Sequence, residues 1–131
     1  VLIEKMLRGK ELIINGDGLQ ERDFVFFSDV IDAAIAALRL RAHESKHATP
    51  FDFVYNIGTG EGVSINQIFT LLKERIPYGR EPVRGPQLPC EVFEMRLDPH
   101  HAMTSLGWTP KVSLEEGLDK TILGFKSRFR F

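Results

Sequence analysis

The strongest constraint on this chain lies between residues 51 and 76. Phe51, Phe53, Val54, Tyr55 and Ile57 form a compact run rich in aromatic and β-branched residues, the composition of a buried strand. Gly58-Thr59-Gly60-Glu61-Gly62 then turns the chain. Ser64 and Gln67 make a Ser-x-x-Gln capping box. Ile65, Ile68, Phe69, Leu72 and Ile76 follow at i, i+3, i+4, i+7 and i+11, the apolar stripe of an amphipathic helix. A strand, a glycine turn and a capped helix in that order predict an α/β fold.

The flanking segments keep the same alternation. Leu2, Ile3, Met6 and Leu7 have helical spacing, so a helix is already under way at Val1, and Gly9-Lys10 ends it. Residues 11–15 are a short β run around Leu12, Ile13 and Ile14. Gly16-Asp17-Gly18 is a turn signal, and residues 24–27 are a second β run expected to pair with the first across the loop 15–22. Ser28 or Asp29 caps a helix running to about Arg41, with a close-packing alanine face. Residues 42–50 read as a polar loop. Residues 77–89 hold four of the seven prolines and read as a loop without an element. Residues 91–97 are expected to form a strand. Asp98-Pro99 then starts a short helix that ends before Gly107. Ser113 and Glu116 cap the last helix, whose inner face is Leu114, Leu118, Ile122 and Phe125.

Composition narrows the functional classes. With 131 residues, 43% hydrophobic and 27% charged, the chain is globular and of one-domain size. Seventeen basic residues against eighteen acidic ones leave no electrostatic footprint for nucleic acid. No apolar run approaches a membrane span. The single cysteine, Cys90, excludes an internal disulfide, and no Cys/His cluster predicts a metal site. Charges among the first ten residues exclude a signal peptide there, so a cytoplasmic setting is expected. The chain opens in mid-helix on Val1 rather than Met, which predicts a piece of a longer protein.

Candidate chemistry is sparse. The dinucleotide fingerprint Gly-x-Gly-x-x-Gly, begun at Gly58 and Gly60, needs a glycine where Val63 stands. The turn is either a phosphate cradle of another kind or a tight strand-to-helix connection. No Tyr-x-x-x-Lys pair exists, because Tyr55 is followed by Thr59 and Tyr78 by Pro82 at the lysine position. His43 and His47 have the i, i+4 spacing of zinc ligands but no third ligand; His100 and His101 are expected at the surface. Cys90 reads as a plain thiol. Arg22 is more informative. Set between a glycine turn and a β run, it presents a rigid fork of donors that fits two oxygens of a diphosphate. Asp23 beside it would either orient the fork by an ion pair or cap the loop.

These residues carry a family resemblance. Gly16-Asp17-Gly18-Leu19-Gln20-Glu21-Arg22-Asp23-Phe24-Val25-Phe26 resembles the G-D-G-x-Q-x-R-D-F/Y-V-Y stretch of NAD-dependent sugar epimerase/dehydratases, the extended short-chain dehydrogenase/reductases. Asp29-Val30-x-x-Ala33, Tyr55-Asn56-Ile57-Gly58-Thr59-Gly60, Ser64-Ile65, Leu106-Gly107-Trp108-Thr109-Pro110 and Ser113-Leu114-Glu115-Glu116-Gly117-Leu118 resemble further motifs of that family, in the same order. Glu91 and Asp98 have the spacing of its acidic residue and later Asp.

The resemblance implies a mixed α/β C-terminal substrate-binding region of an extended Rossmann-type enzyme. One strand and helices of this chain would complete a Rossmann domain that is itself outside it. That N-terminal domain would bind NAD and carry the catalytic Tyr-x-x-x-Lys, so residues 1–131 alone would be inactive and hold no catalytic or cofactor-binding residue. The implied function is substrate binding in a nucleotide-sugar epimerase or dehydratase of the UDP-glucose 4-epimerase kind, acting on a UDP- or dTDP-sugar in a cytoplasmic homodimer. The alternative is a non-catalytic nucleotide-sugar-binding or self-associating module. The resemblance places Arg22 on the substrate diphosphate and Gln20 close to the nucleotide, with Asn15, Gly16, Asp17 and Gly18 lining the nucleotide pocket. Many members carry a second phosphate-binding arginine where this chain has Leu88, three residues before Glu91; Arg84 is the nearby candidate to replace it. Asp98 would contact the substrate ribose or cap its helix.

Overall fold

In the computed structural model, which describes residues 2–41 and 49–129, the helix after the glycine turn is built as its sequence predicts. Ser64 Oγ accepts from Gln67 N–H and Gln67 Oε1 from Ser64 N–H, so the capping box starts helix α3, Ile65–Arg75. Ile68, Phe69 and Leu72 face inward, and Ile76 follows them into the core. Around α3 stand helix α1 (Leu2–Leu7), strands β1 (Ile13–Asn15) and β2 (Glu21–Arg22), helix α2 (Phe27–Arg41), strands β3 (Val63–Ser64), β4 (Val83–Gly85) and β5 (Glu94–Met95), and helices α4 (His100–Leu106) and α5 (Leu114–Phe129). The fold is mixed α/β.

Two small sheets organise it. β1 pairs in parallel with β4, Ile14 opposite Arg84. β2 is the middle strand of the other sheet, antiparallel to β3 and parallel to β5, with Arg22 opposite Val63 on one side and Met95 on the other. The larger apolar cluster joins Met6 of α1, Leu12, Ile14, the inner face of α3, Tyr78 and Ile122. Leu114, Leu118 and Phe125 pack against it, the face expected of α5. The smaller cluster joins Ala33, Ala102 and Trp108, with Tyr55 and Ile57 against it.

Several expectations are corrected. Residues 24–27 are not a strand beside β1. The Phe26 carbonyl already accepts from Asp29 and Val30 N–H, so helical hydrogen bonding begins where a strand was expected. The partner of β1 is β4, inside the proline-rich segment; Pro82 and Pro86 flank its three residues rather than interrupt them. Residues 51–57 are not a buried strand. Pro50–Phe53 forms a 3₁₀ turn, and no described strand pairs with residues 54–57. Tyr55 and Ile57 pack inward, while Phe51 is 82% exposed. Of residues 91–97, only Glu94–Met95 is paired. The polar loop 42–48, with His43 and His47, and also Val1, lie outside the described residues.

Two aspartates tie these parts together. Asp29 sits inside the first turn of α2 rather than capping it. It is buried; its Oδ2 accepts from Lys111 and Val112 N–H at 3.0 Å each, and its carbonyl accepts from Trp108 Nε1 at 2.8 Å. Asp23 holds the glycine turn. Its Oδ1 accepts from Thr59 N–H (2.8 Å) and Thr59 Oγ1 (2.7 Å), and its Oδ2 from Gly60 N–H (2.9 Å) and Leu97 N–H (3.3 Å). Burial pushes the Asp23 carboxyl up, but the Thr59 hydroxyl and the three backbone donors outweigh it and hold it below its ordinary value.

Truncating Leu72 to Ala should cost about 2–5 kcal/mol, because the side chain is fully buried in the larger apolar cluster and its loss leaves a cavity there. Asp29→Ala should cost about 2–4 kcal/mol by leaving two backbone N–H groups without their acceptor. Both are read from urea denaturation midpoints. Asp23 adds a pH signature. Its folded value is the lower one, so its stabilisation is complete above the ordinary value of 3.8 and is lost as the pH falls below it. The stability gap between the native chain and Asp23→Asn should therefore be widest near neutral pH and shrink as the pH falls through that value.

Candidate functional site

The site grows from the turn before β2. Gly16 and Gly18 have φ of +64° and +74°, the left-handed region that glycine enters without strain. Asp17 Oδ1 accepts from Leu19 N–H at 2.9 Å and closes the loop locally. The chain leaves this turn with Gln20 turned inward, 7% exposed, and Arg22 on the middle strand of the second sheet.

Glu91, which precedes β5, completes the cluster. Arg22 Nη1 donates to the Glu21 carbonyl at 2.7 Å, and Nη2 lies 3.5 Å from Glu91 Oε1. Gln20 Nε2 donates to the Asn15 carbonyl at 3.2 Å and to the same Glu91 oxygen at 3.4 Å. The Arg22 and Glu91 side chains are 24% and 18% exposed, so the pair is largely but not wholly removed from water. Asn15, Gly16, Asp17, Gln20, Gln87, Glu91 and Phe93 line a cleft of about 10 Å³, room for roughly one water. The structure thus brings together Asn15, Gly16, Gln20 and Arg22. The 3.5 Å ion pair is long, and a better-placed anion can take over the guanidinium fork.

The other sequence candidates stand apart. Arg84 lines a separate cavity on the outer face of α3; its Nη1 donates to the Asp17 carbonyl at 2.9 Å and to Asn66 Oδ1 at 3.1 Å. Asp98 is exposed and accepts from His100 N–H at 2.9 Å, a local Asx turn just ahead of α4, whose N-cap is Pro99. Asp23 does not pair with Arg22; it caps the glycine turn. The Thr59 and Gly60 N–H groups that a phosphate would need are thereby spent, and the turn is a tight connection. His101 is exposed beside Tyr55, with Nδ1 3.0 Å from the Val54 carbonyl. Cys90 is exposed, the one non-glycine residue among those described with positive φ, at +63°. Among the described residues no cluster of His, Cys, Asp and Glu could hold a metal ion.

Three lining residues escaped the sequence reading as site residues: Gln87, Glu91 and Phe93. Only Glu91 carried a signal, its spacing to Asp98; its contact with Arg22 joins residues 69 apart in the chain.

The sequence profile of the NAD dependent epimerase/dehydratase family matches residues 1–58. UDP-glucose 4-epimerase of Mycolicibacterium smegmatis is 31% identical over 98% of this chain and 38% of its own length. The crystal structure of UDP-glucose 4-epimerase from Thermotoga maritima with UDP-glucose superposes with a TM-score of 0.84 at 42% identity, covering 97% of this chain and 38% of that one. UDP-glucuronic acid 4-epimerase of Bacillus cereus, solved as a mutant with UDP-4-deoxy-4-fluoro-glucuronic acid and NAD, superposes with a TM-score of 0.84 at 32% identity, covering 98% and 39%. The chain spans less than two-fifths of the length of the curated relatives it matches. On the profile, the relatives and the shared mixed α/β architecture, the chain belongs to the NAD-dependent epimerase/dehydratase family.

Proposed function

We propose that this chain is the substrate-binding region of an NAD-dependent nucleotide-sugar epimerase or dehydratase, of the UDP-glucose 4-epimerase kind, and that Arg22 anchors the substrate diphosphate. The observation that carries this reading is the largely sheltered Arg22 fork on β2, joined to Gln20 through the shared Glu91 oxygen, with Nη1 on the Glu21 carbonyl and Nη2 in only a long pair to Glu91. A diphosphate offers two charges and bidentate geometry where Glu91 offers one distant oxygen. Relatives solved with UDP-sugars support the ligand class, and a dTDP-4-dehydro-6-deoxyglucose reductase among the relatives keeps dTDP-sugars within it. In this reading Gln20 and Asn15 border the nucleotide, and anchoring the diphosphate limits the sugar's freedom at the reacting centre.

The glycine turn lacks the third glycine of the fingerprint, and Asp23 occupies its N–H groups. The reading therefore assigns NAD and the catalytic tyrosine and lysine to an N-terminal Rossmann domain outside these residues, in a cytoplasmic homodimer. No described helix is long and apolar enough to cross a membrane. A second reading, a self-associating module, draws on α2, where Phe27, Ile31, Ile35 and Leu38 leave one exposed apolar stripe.

Titration calorimetry with UDP and UDP-glucose tests the first reading. Arg22→Ala should weaken binding about tenfold or more, and Arg22→Lys should not restore it, because an ammonium cannot reproduce the planar fork. Equal affinity for UDP in the native chain and Arg22→Ala would overturn it. Sedimentation tests the second: the native chain should self-associate and Ile35→Glu/Leu38→Glu should not, whereas a monomeric native chain rejects it.

A further inference from the structure

The carbonyls of the turn before β2 are held from outside the turn. Asn66, in the first turn of α3, donates its side-chain Nδ2 to the Asp17 carbonyl at 2.8 Å and its backbone N–H to the Gly18 carbonyl at 3.0 Å. Ile65 N–H donates to the Gln20 carbonyl at 3.2 Å. Arg84, projecting from β4, adds a second donor to the Asp17 carbonyl and bonds Asn66 Oδ1 at 3.1 Å. The contact is so close that a Cβ on Gly18 would lie 2.2 Å from Asn66 Oδ1 and 2.7 Å from Arg84 Nη1. The N–H groups at the start of α3 are thus spent on the loop. Arg84 faces the outer cavity beside α3 rather than the cleft beside Gln20.

We propose that Asn66 and Arg84 are positioning residues for the Arg22 site: together they clamp Asp17 and Gly18 to α3 and β4, and through that turn they set where Gln20 and Arg22 stand. The inference rests on the reading of Arg22 as the diphosphate anchor and gives Arg84 a different task from touching the ligand. The path is short and covalent. Asp17 and Gly18 are fixed by the pair, Gln20 is fixed two residues later by Ile65 N–H, and Arg22 follows on the middle strand. An uncharged residue and a charged one make the same clamp, so removing either should have the same consequence. A direct phosphate contact would make only the charged one matter.

The test has two stages on the 131-residue chain. First, the Arg22 Nε–H resonance is followed by NMR without ligand, with the melting temperature as a control for folding. Asn66→Ala and Arg84→Ala should each move that resonance toward the position of a solvated arginine, at nearly native melting temperature, and Arg84→Lys should restore it. An unmoved resonance in both alanine variants overturns the proposal. Second, UDP affinity is measured in a double-mutant cycle with Arg22→Ala. Asn66→Ala and Arg84→Ala should each weaken UDP binding about tenfold in the native background and add little once Arg22 is gone. Additive losses, or a loss on Arg84→Ala without one on Asn66→Ala, overturn the clamp and place Arg84 on the ligand. If Arg22→Ala leaves UDP binding unchanged, the diphosphate reading falls, and the NMR stage still decides the clamp.

Discussion

One carboxylate holds the functional half of this fold in register. Asp23 accepts from a hydroxyl and three backbone N–H groups that come from Thr59, Gly60 and Leu97. Those donors belong to two segments, the glycine turn before β3 and the strand exit after β5. β3 and β5 are the two neighbours of β2, so Asp23 locks both edges to the middle strand from one end. Each strand is only two residues long. Ladders this short supply few hydrogen bonds of their own, and a charged acceptor with four donors supplies what they lack.

Arg22 inherits its position from that lock. It is the residue before Asp23, and its neighbours on both sides in the sheet are fixed by the same carboxylate. Its own pair with Glu91 is long, at 3.5 Å. The site therefore separates two tasks. A rigid backbone is made by Asp23 on one side and by Asn66 with Arg84 on the other. The guanidinium keeps one firm bond, Nη1 to the Glu21 carbonyl, and one long one, Nη2 to Glu91, so one arm of the fork is held and the other is loosely engaged.

What the sequence made legible was local. Ser64 and Gln67 announced α3, Gly107 ended α4 at φ +62°, and Arg22 stood out by its place just after a glycine turn. These signals depend on residues a few positions apart, and the structure keeps them. Long-range pairings were hidden. β1 pairs with β4 about seventy residues later, and the prolines around Val83–Gly85 read as loop because a three-residue strand has no room for a hydrophobic period. Phe51–Ile57 carried the composition of a buried strand, yet burial depends on what lies alongside, and no described strand does. In the sequence Asp23 reads only as a partner of Arg22 or a cap of its loop, and nothing singles out Asn66; both act mainly on backbone groups far along the chain, which leave no trace in a side-chain pattern.

Residues 54–57 pack toward one face of α2, and the exposed stripe is the opposite face. α2 buries Ala33 against α4 and Trp108 on one side, while Phe27, Ile31, Ile35 and Leu38 cover the other, Leu38 at 72% exposure. A helix apolar on opposite faces is a core helix. Tyr55 and Ile57 pack into the same small cluster as Ala33, and Val54 beside them is exposed. An unpaired extended segment next to a helix with an uncovered apolar face has the form of one edge of a layered α/β sheet. That edge lies on the Ala33–Trp108 side of the molecule, whereas Arg22 and Glu91 lie by β2 and β5. Asp23 joins the two regions, since the Thr59–Gly60 turn it holds directly follows residues 54–57. A body docked on that edge would be tied, through Asp23, to the strand that carries Arg22.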